Sequence, residues 1–257
     1  MSLCISSFNL RRFGDNAERD FPLIAKIIKS SGSDLVAIQE ASGESAVVRL
    51  CQELGTDTWQ FSHAPDKGFG FAFLWKQSLL TPAGKTPVSV WSNTTVALTH
   101  PPLVGFFRVN NSVVALINIQ IIGSRPPYHP DKKREFRCLC DEVFPGVEYA
   151  ARDLTIASYV LMLGDYNLRF TDIVSKANPE LNISLKTVQD QPTTIKNQPP
   201  YAYSVESLDH FSYRETWTQS LVTSVGRFDA PQLCNGDFGY YRKQVSDHVP
   251  ILLSLAL

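Results

Sequence analysis

Cysteine is scarce in this chain, charge of either sign barely predominates, and long apolar runs are missing. Each absence narrows what the protein is. Five cysteines in 257 residues, Cys4, Cys51, Cys138, Cys140 and Cys234, are too few and too scattered for a disulfide scaffold. Cys138 and Cys140 read as half of a metal site, but no second Cys/His pair at ligand spacing completes it. Buried or free thiols are expected, which favours a reducing compartment. No uninterrupted apolar run reaches the ~18–20 residues of a membrane span. Met1 to Phe8 lacks the charged start and apolar stretch of a secretory leader, so either the protein is intracellular or a leader has been removed. Lys and Arg total 24 against 25 Asp and Glu, a formal charge of −1. That balance removes the argument for nucleic acid from overall basicity, although local clusters act even when the total cancels. With 44% hydrophobic and 19% charged residues, the chain is neither collagenous, disordered nor a coiled coil.

What is present alternates between two periods. Cys4 to Leu10 reads as a strand, Phe21 to Lys29 as an amphipathic helix, and Leu35-Val36-Ala37-Ile38 as a buried strand running into Gln39-Glu40. Ala46 to Leu54 is helical again. Phe69 to Trp75, Val88 to Leu98, Leu103 to Val109 and Val113 to Ile122 form a series of short β-rich runs with Pro, Gly and Asn between them, the signature of antiparallel strands. Arg134 to Phe144 and Glu148 to Ile156 read as helices. Tyr159 to Leu163, Ser207 to Tyr213 and Ile251 to Leu257 complete the strands. Asn178 to Tyr201, rich in proline and polar residues, reads as an extended surface loop. No linker divides the chain, so one domain, residues 1–257, is expected, with helices covering partly antiparallel sheets.

Several apolar strands end abruptly in a carboxylate or an amide: Phe8-Asn9, Ile38-Gln39-Glu40, Leu163-Gly164-Asp165-Tyr166-Asn167, Leu208-Asp209 and Ser246-Asp247-His248. One such residue usually caps a helix or makes a turn. Five together point to convergence on one rim, where oxygen ligands make a hard-cation site and a His beside an acid suits proton transfer or transition-state hydrogen bonding.

In order and spacing these segments resemble the endonuclease/exonuclease/phosphatase superfamily, with its deoxyribonuclease I-like fold. The matching pieces are Ser7-Phe8-Asn9, Asp34 to Glu40, Gly164-Asp165-Tyr166-Asn167, Ser207-Leu208-Asp209-His210-Phe211 and Ser246-Asp247-His248-Val249-Pro250. Pro192-Thr193-Thr194 falls where the family often has a Thr-rich loop. The start, Ser6 to Gly14, is similar to the deoxyribonuclease I branch. The resemblance implies an α/β (α+β) four-layer sandwich, two antiparallel-rich sheets flanked by helices, and Mg²⁺-dependent phosphate-ester hydrolysis, with Mn²⁺ as a substitute. It implies Glu40 as the main metal ligand, with Asn9 and Asp247 in or near its shell. Asp165 would align or deprotonate the attacking water, and Asn167 would orient it or hold the phosphate. His248, oriented by Asp209, would hydrogen-bond the scissile phosphate. Positioning, a cation and aimed donors are what phosphoryl transfer requires.

Two departures stand out. Ala115 to Gln120 resembles the family strand that usually ends in His, or in Tyr in the abasic-site branch, and Gln120 stands there instead. An amide donates and accepts but does not titrate near neutral pH. No acid lies between Gly68 and Leu80, where the family pairs that His with Glu, and Thr99-His100-Pro101-Pro102 lacks the Arg expected before the paired prolines. General acid–base help is typically worth ~10²–10⁴-fold, so either a slow enzyme is expected or His100, His129 or His210 supplies the group from another direction. His210, next to Asp209 on a strand, is expected to face the other way. Arg125 to Arg137 is the one dense basic stretch. Arg125, with Arg11 and Arg12, suits a nucleic-acid backbone, although a solvated loop is the commoner origin of such a run. The expectation is a metal-dependent nuclease acting on DNA more than RNA, as a monomer. The alternatives are a phosphatase or phospholipid or inositol phosphodiesterase of the same fold, drawn to an anionic lipid or small phosphorylated molecule by the same charges, and a non-catalytic nucleic-acid binder.

Overall fold

The computed structural model describes residues 2–14, 19–66, 68–86, 88–121, 132–155, 157–175, 184–216 and 221–257. Two mixed sheets lie face to face. The first contains β1 (Ser2–Phe13), β2 (Leu35–Ala41), β3 (Trp59–Asp66), β4 (Phe69–Lys76), β12 (Val222–Arg227) and β13 (Ile251–Ala256), in the order β12-β13-β1-β2-β4-β3. The second contains β5 (Thr81–Pro82), β6 (Val88–Val90), β7 (Leu103–Val109), β8 (Ser112–Gln120), β9 (Ser158–Asp165), β10 (Leu185–Val188) and β11 (Asp209–Arg214). Its order is β10-β11-β9-β8-β7-β5, with β6 also on β7.

Helices cover both outer faces. Helix α1 (Phe21–Ser30) starts at Asp20, whose side chain accepts the Leu23 amide at 2.9 Å, satisfying one of the orphan donors of the first turn. With α2 (Glu44–Leu54) it packs an apolar face on Phe8, Leu10, Val36 and Ile38. On the other side, α3 (Lys132–Cys138), a π-helical turn (Leu139–Val143) and α4 (Phe144–Arg152) run as one continuous helix and cover Ala115, Ile117, Val160 and Met162. Between the sheets lie Ile5, Ala37, Phe73, Leu116, Leu163, Phe211 and Leu253. Central strands are therefore buried on both faces, which is why they read as continuous apolar runs. Among the described residues no helix is long and apolar enough to cross a membrane.

Each sheet holds one parallel pair among its central strands, β1 with β2 and β8 with β9. A parallel pair needs a crossover, supplied by α1 and by α3–α4, and it sends both strands to the same edge. Asn9 is thereby level with Gln39, and Gln120 with Asp165. The antiparallel partner β11 begins at that edge, Asp209 opposite Asp165.

The structure revises several sequence expectations. The helices read at Arg134 to Phe144 and from Glu148 onwards are one. Val88 to Leu98 is a strand only to Val90. The loop expected over Asn178 to Tyr201 contains β10, whose Thr187 hydroxyl bonds Ser212 at 2.8 Å on β11. Strands β3 and β12 and helices α5 (Phe170–Val174) and α6 (Phe238–Gln244) add to the list. Edge strands such as Trp59–Asp66, with a proline and polar residues, carry little alternation.

Candidate active site

The shared edge is built from polar residues at strand positions that follow the apolar layer of Ile5, Ala37, Leu116 and Leu163 between the sheets. The chain is strained there. Arg11, Arg12 and Glu40 take left-handed backbone angles (φ 44°, 50° and 59°), and the β1–β2 register shifts between Asn9 and Phe13. Such conformations cost about 1–3 kcal/mol each for residues other than glycine. What they achieve is donor placement: the Arg11 amide donates to Asn9 Oδ1 and the Arg12 amide to Glu40 Oε2, both at 2.8 Å.

Glu40 receives two further donors on Oε1, Gln120 Nε2 at 2.8 Å and Asn9 Nδ2 at 3.2 Å. None of the ion pairs among the described residues includes Glu40. Its hydrogen-bond donors are therefore all neutral, while the Arg19 charge acts on it without an ion-pair contact. Beside it, the buried Oε1 of Gln120 has no hydrogen-bond partner, an uncommon state for a buried polar atom. A lone carboxylate next to an orphaned amide oxygen is a hard-oxygen donor set of the kind a small divalent cation takes. The residues present fit such an ion. Asn9 offers the site its amide N–H groups, to Glu40 and to Asp165 Oδ2 at 3.1 Å.

Asp165 is buried at the end of β9. Its oxygens accept the Asn167 amide and Asn167 Nδ2, both at 3.0 Å. Burial pushes this carboxyl up to about 7, against the pull of His248, and the neighbouring Asp209 and Glu40 charges push the same way. Asn167, also left-handed (φ 48°), is fixed by Nδ2 donation to Ile121 O at 3.0 Å and by Lys132 Nζ on its carbonyl at 2.9 Å. Burial lowers Lys132, while Asp165 and Glu206 pull it back up. Just upstream, Gly164 has φ 147°, and a Cβ there would stand 2.0 Å from Ile119 O. Gly164→Ala is expected to cost about 3 kcal/mol in urea denaturation; a loss below 1 kcal/mol would show that β8 and β9 yield more easily than this contact implies.

His248 completes the group. Its Nδ1 lies 2.9 Å from Asp209 Oδ2 and its Nε2 3.9 Å from Asp165 Oδ2. Burial alone would lower this imidazole, but the charges of Asp209 and Asp165 win and raise it to about 10. One ligand atom from each of the three lies within 4.8 Å of the others, a spacing that also suits hydrogen bonding between an imidazolium and two carboxylates. We read them as a charged hydrogen-bonding relay. Its backbone is clamped: Thr193 Oγ1 accepts the Leu208 and Asp209 amides at 3.2 and 3.4 Å, Thr194 bridges to His248, and Tyr241 donates to His248 O at 2.8 Å.

Other sequence-picked residues sit differently. Asp247 is engaged by Arg11 Nε at 3.3 Å and Arg242 Nη2 at 3.2 Å, at the lip of the site. His210 faces away, as expected, its two ring nitrogens 2.9 Å from Gln189 O and Leu168 O. Arg125, Tyr128 and His129 lie outside the described residues. Sequence reading missed the floor of the site, where buried Gln39 Nε2 donates to Asn118 Oδ1 at 2.7 Å and to Ser7 Oγ at 3.1 Å, joining the sheets. Polar residues at inward positions next to rim residues were the available signal.

The sequence model of the Endonuclease/Exonuclease/phosphatase family matches residues 6–248. By sequence, no curated protein matches the chain. Among solved structures, D. rerio TDP2 complexed with a single-strand DNA product is 15% identical, with a TM-score of 0.68 over 100% of this chain and 99% of that one. A mannosyl-6-phosphatase of Bacteroides thetaiotaomicron is 14% identical, with a TM-score of 0.68 over 99% of this chain and 100% of that one. The human Nocturnin catalytic domain is 12% identical, with a TM-score of 0.65 over 99% and 93%. These likenesses show the fold, which is deoxyribonuclease I-like.

Proposed function

The chain belongs to the Endonuclease/Exonuclease/phosphatase family, and on that premise we propose that it is a divalent-cation-dependent phosphodiesterase acting on nucleic acid, DNA before RNA. The observation that carries this reading is the Glu40 carboxylate, hydrogen-bonded by neutral donors alone, beside the orphaned Gln120 oxygen and on the same rim as Asp165, Asp209 and His248. Glu40 and Gln120 Oε1 would hold the ion, Mg²⁺ or Mn²⁺. When bound, it would neutralise charge on the phosphate and polarise the ester.

The chain's own residues do the rest. Asp165, raised by burial into the range of a working base, takes the proton of the attacking water. Asn167, locked to Asp165 by two hydrogen bonds, sets the direction of that carboxylate. His248 stays protonated near neutral pH and donates to a phosphate oxygen, with Asp209 fixing its ring. Asn9 spans Glu40 and Asp165 and holds their spacing. Gln120 replaces a titrating group with an amide, so leaving-group protonation is unassisted from that side. The presence of a single-strand DNA product on a structural relative supports a polynucleotide substrate.

Hydrolysis of thymidine 5′-(p-nitrophenyl phosphate) against p-nitrophenyl phosphate, with Mg²⁺ and with EDTA, tests the reading. Metal-dependent turnover of the diester is expected to exceed that of the monoester at least ~10-fold. Phosphate release from the monoester without diester cleavage would assign a phosphatase instead.

A further inference from the structure

The rim carries a second imidazole–carboxylate pair. His100 Nδ1 lies 2.8 Å from Asp66 Oδ2, and the His100 ring packs on Phe69 with centroids 4.6 Å apart. The register places this pair. Phe71 is level with Gln39, so Phe69, two residues on, lies beside Glu40 and Ala41. Leu103 is level with Asn118, so His100, three residues earlier, lies beside the Gln120 end of β8. Asp66, on β3, lies two strands beyond Glu40 with Phe69 on the strand between, and His100 precedes β7, one strand beyond Gln120; both are on the side away from His248. At ~4.8 Å per strand, it is on the order of 10 Å from the proposed reaction centre.

The ring is preset. The Thr99 amide donates to buried Glu135 Oε1 at 2.7 Å, and Pro101-Pro102 follow. Asp66 occupies Nδ1, while Nε2 makes no hydrogen bond among the described residues. The contrast with His210 is informative, since that ring meets a backbone carbonyl with each nitrogen and is fully buried. His100 and Asp66 keep 13% and 22% of their side-chain surface exposed. The geometry repeats that of His248 with Asp209, a carboxylate on Nδ1 that leaves Nε2 as the open ring nitrogen.

We propose that His100, oriented by Asp66, binds a non-scissile phosphate of a nucleic-acid strand, which runs along the rim from His248 past Glu40 and Gln120 to β4 and β7. The inference rests on the phosphodiesterase reading and adds direction and length to its substrate: a chain with a further phosphate is preferred to an isolated ester.

The test uses a fluorescein-labelled thymidylate octamer and the small diester above, on the full chain. In EDTA, His100→Gln is expected to weaken octamer binding about 10- to 100-fold, the worth of one hydrogen bond to a charged group. Asp66→Asn is expected to act in the same direction, and His100→Arg to restore binding. With Mg²⁺, the ratio of kcat/KM for octamer over small diester is expected to fall ~10-fold or more in His100→Gln, mainly through KM. Unchanged octamer binding in a folded His100→Gln protein would overturn the inference, as would equal losses on both substrates or a wild type that does not bind the octamer. Failure of the wild type to cleave either substrate would instead overturn the phosphodiesterase reading, with the EDTA binding comparison still deciding the role of His100.

Discussion

His248→Ala is expected to lower kcat by ~10²–10⁴-fold, the usual worth of a positioned proton donor, and to destabilise the fold at neutral pH. Both effects have one cause. The imidazolium lies between two buried carboxylates, and removing one partner from a buried ion group typically costs about 3–5 kcal/mol. The pH dependence separates chemistry from stability. Activity is expected to rise as Asp165 loses its proton, near 7, and to fall as His248 loses its own, near 10. A cation bound at Glu40 would move the acid limb to lower pH. Asp209 is the strongest upward influence on His248, so Asp209→Asn is expected to bring the alkaline limb of kcat/KM down. An unmoved limb would remove His248 as the proton-bearing group.

Stability of the metal-free protein follows from the same shifts. His248 holds its proton more tightly when folded, so its contribution is full below its ordinary value of 6.5 and is lost as pH rises towards about 10. Asp165 also keeps its proton longer when folded, and its ionisation penalises the fold between 3.8 and about 7. Thermal stability without metal is therefore expected to decline from mildly acid to alkaline pH, and Mg²⁺ is expected to offset that decline.

Glu40→Gln is expected to remove Mg²⁺ affinity and to reduce metal-dependent turnover on the order of 10³-fold, since the bound ion supplies several kcal/mol of charge stabilisation. The fold is expected to survive. Glu40 makes hydrogen bonds with neutral donors only and no ion pair, Arg19 keeps the charge of Asp247 beside it, and the loss of Glu40 also relieves one of the charges that raise Asp165. Isothermal titration with Mg²⁺ and a thermal melt check both halves. Wild-type metal affinity in the variant would place the ion elsewhere on the rim.

The rim residues were legible because apolar strand patterns adjoin them, although Asp209 opens β11 and His248 precedes β13, where strand ends were expected; two parallel pairs send the ends of β1, β2, β8 and β9 to the same edge. Asn9, Glu40, Asp165, Asp209 and His248 needed only that topology to meet. Asp247 did not follow the pattern, because Arg242, on a short aromatic helix that carries no periodic signal, reaches across to engage it. The Gln39–Asn118 bridge joins residues 79 apart in sequence, and neither residue differs in type from an ordinary turn amide. The Asp66–His100 pair depends on β3, an edge strand whose proline and polar residues hid it. Local chemistry was readable wherever a strand pattern pointed at it; pairings made across the two sheets were not.

One cation-binding rim is expected to cleave phosphodiesters through Glu40, Asp165 and His248. Nicking of supercoiled plasmid, measured with Mg²⁺ or Mn²⁺ against EDTA for the wild type, Glu40→Gln and His248→Ala, tests it most directly. Metal-dependent nicking by the wild type is expected, abolished by EDTA and lost in both variants. Intact plasmid in every lane, or nicking that persists in Glu40→Gln, would contradict it.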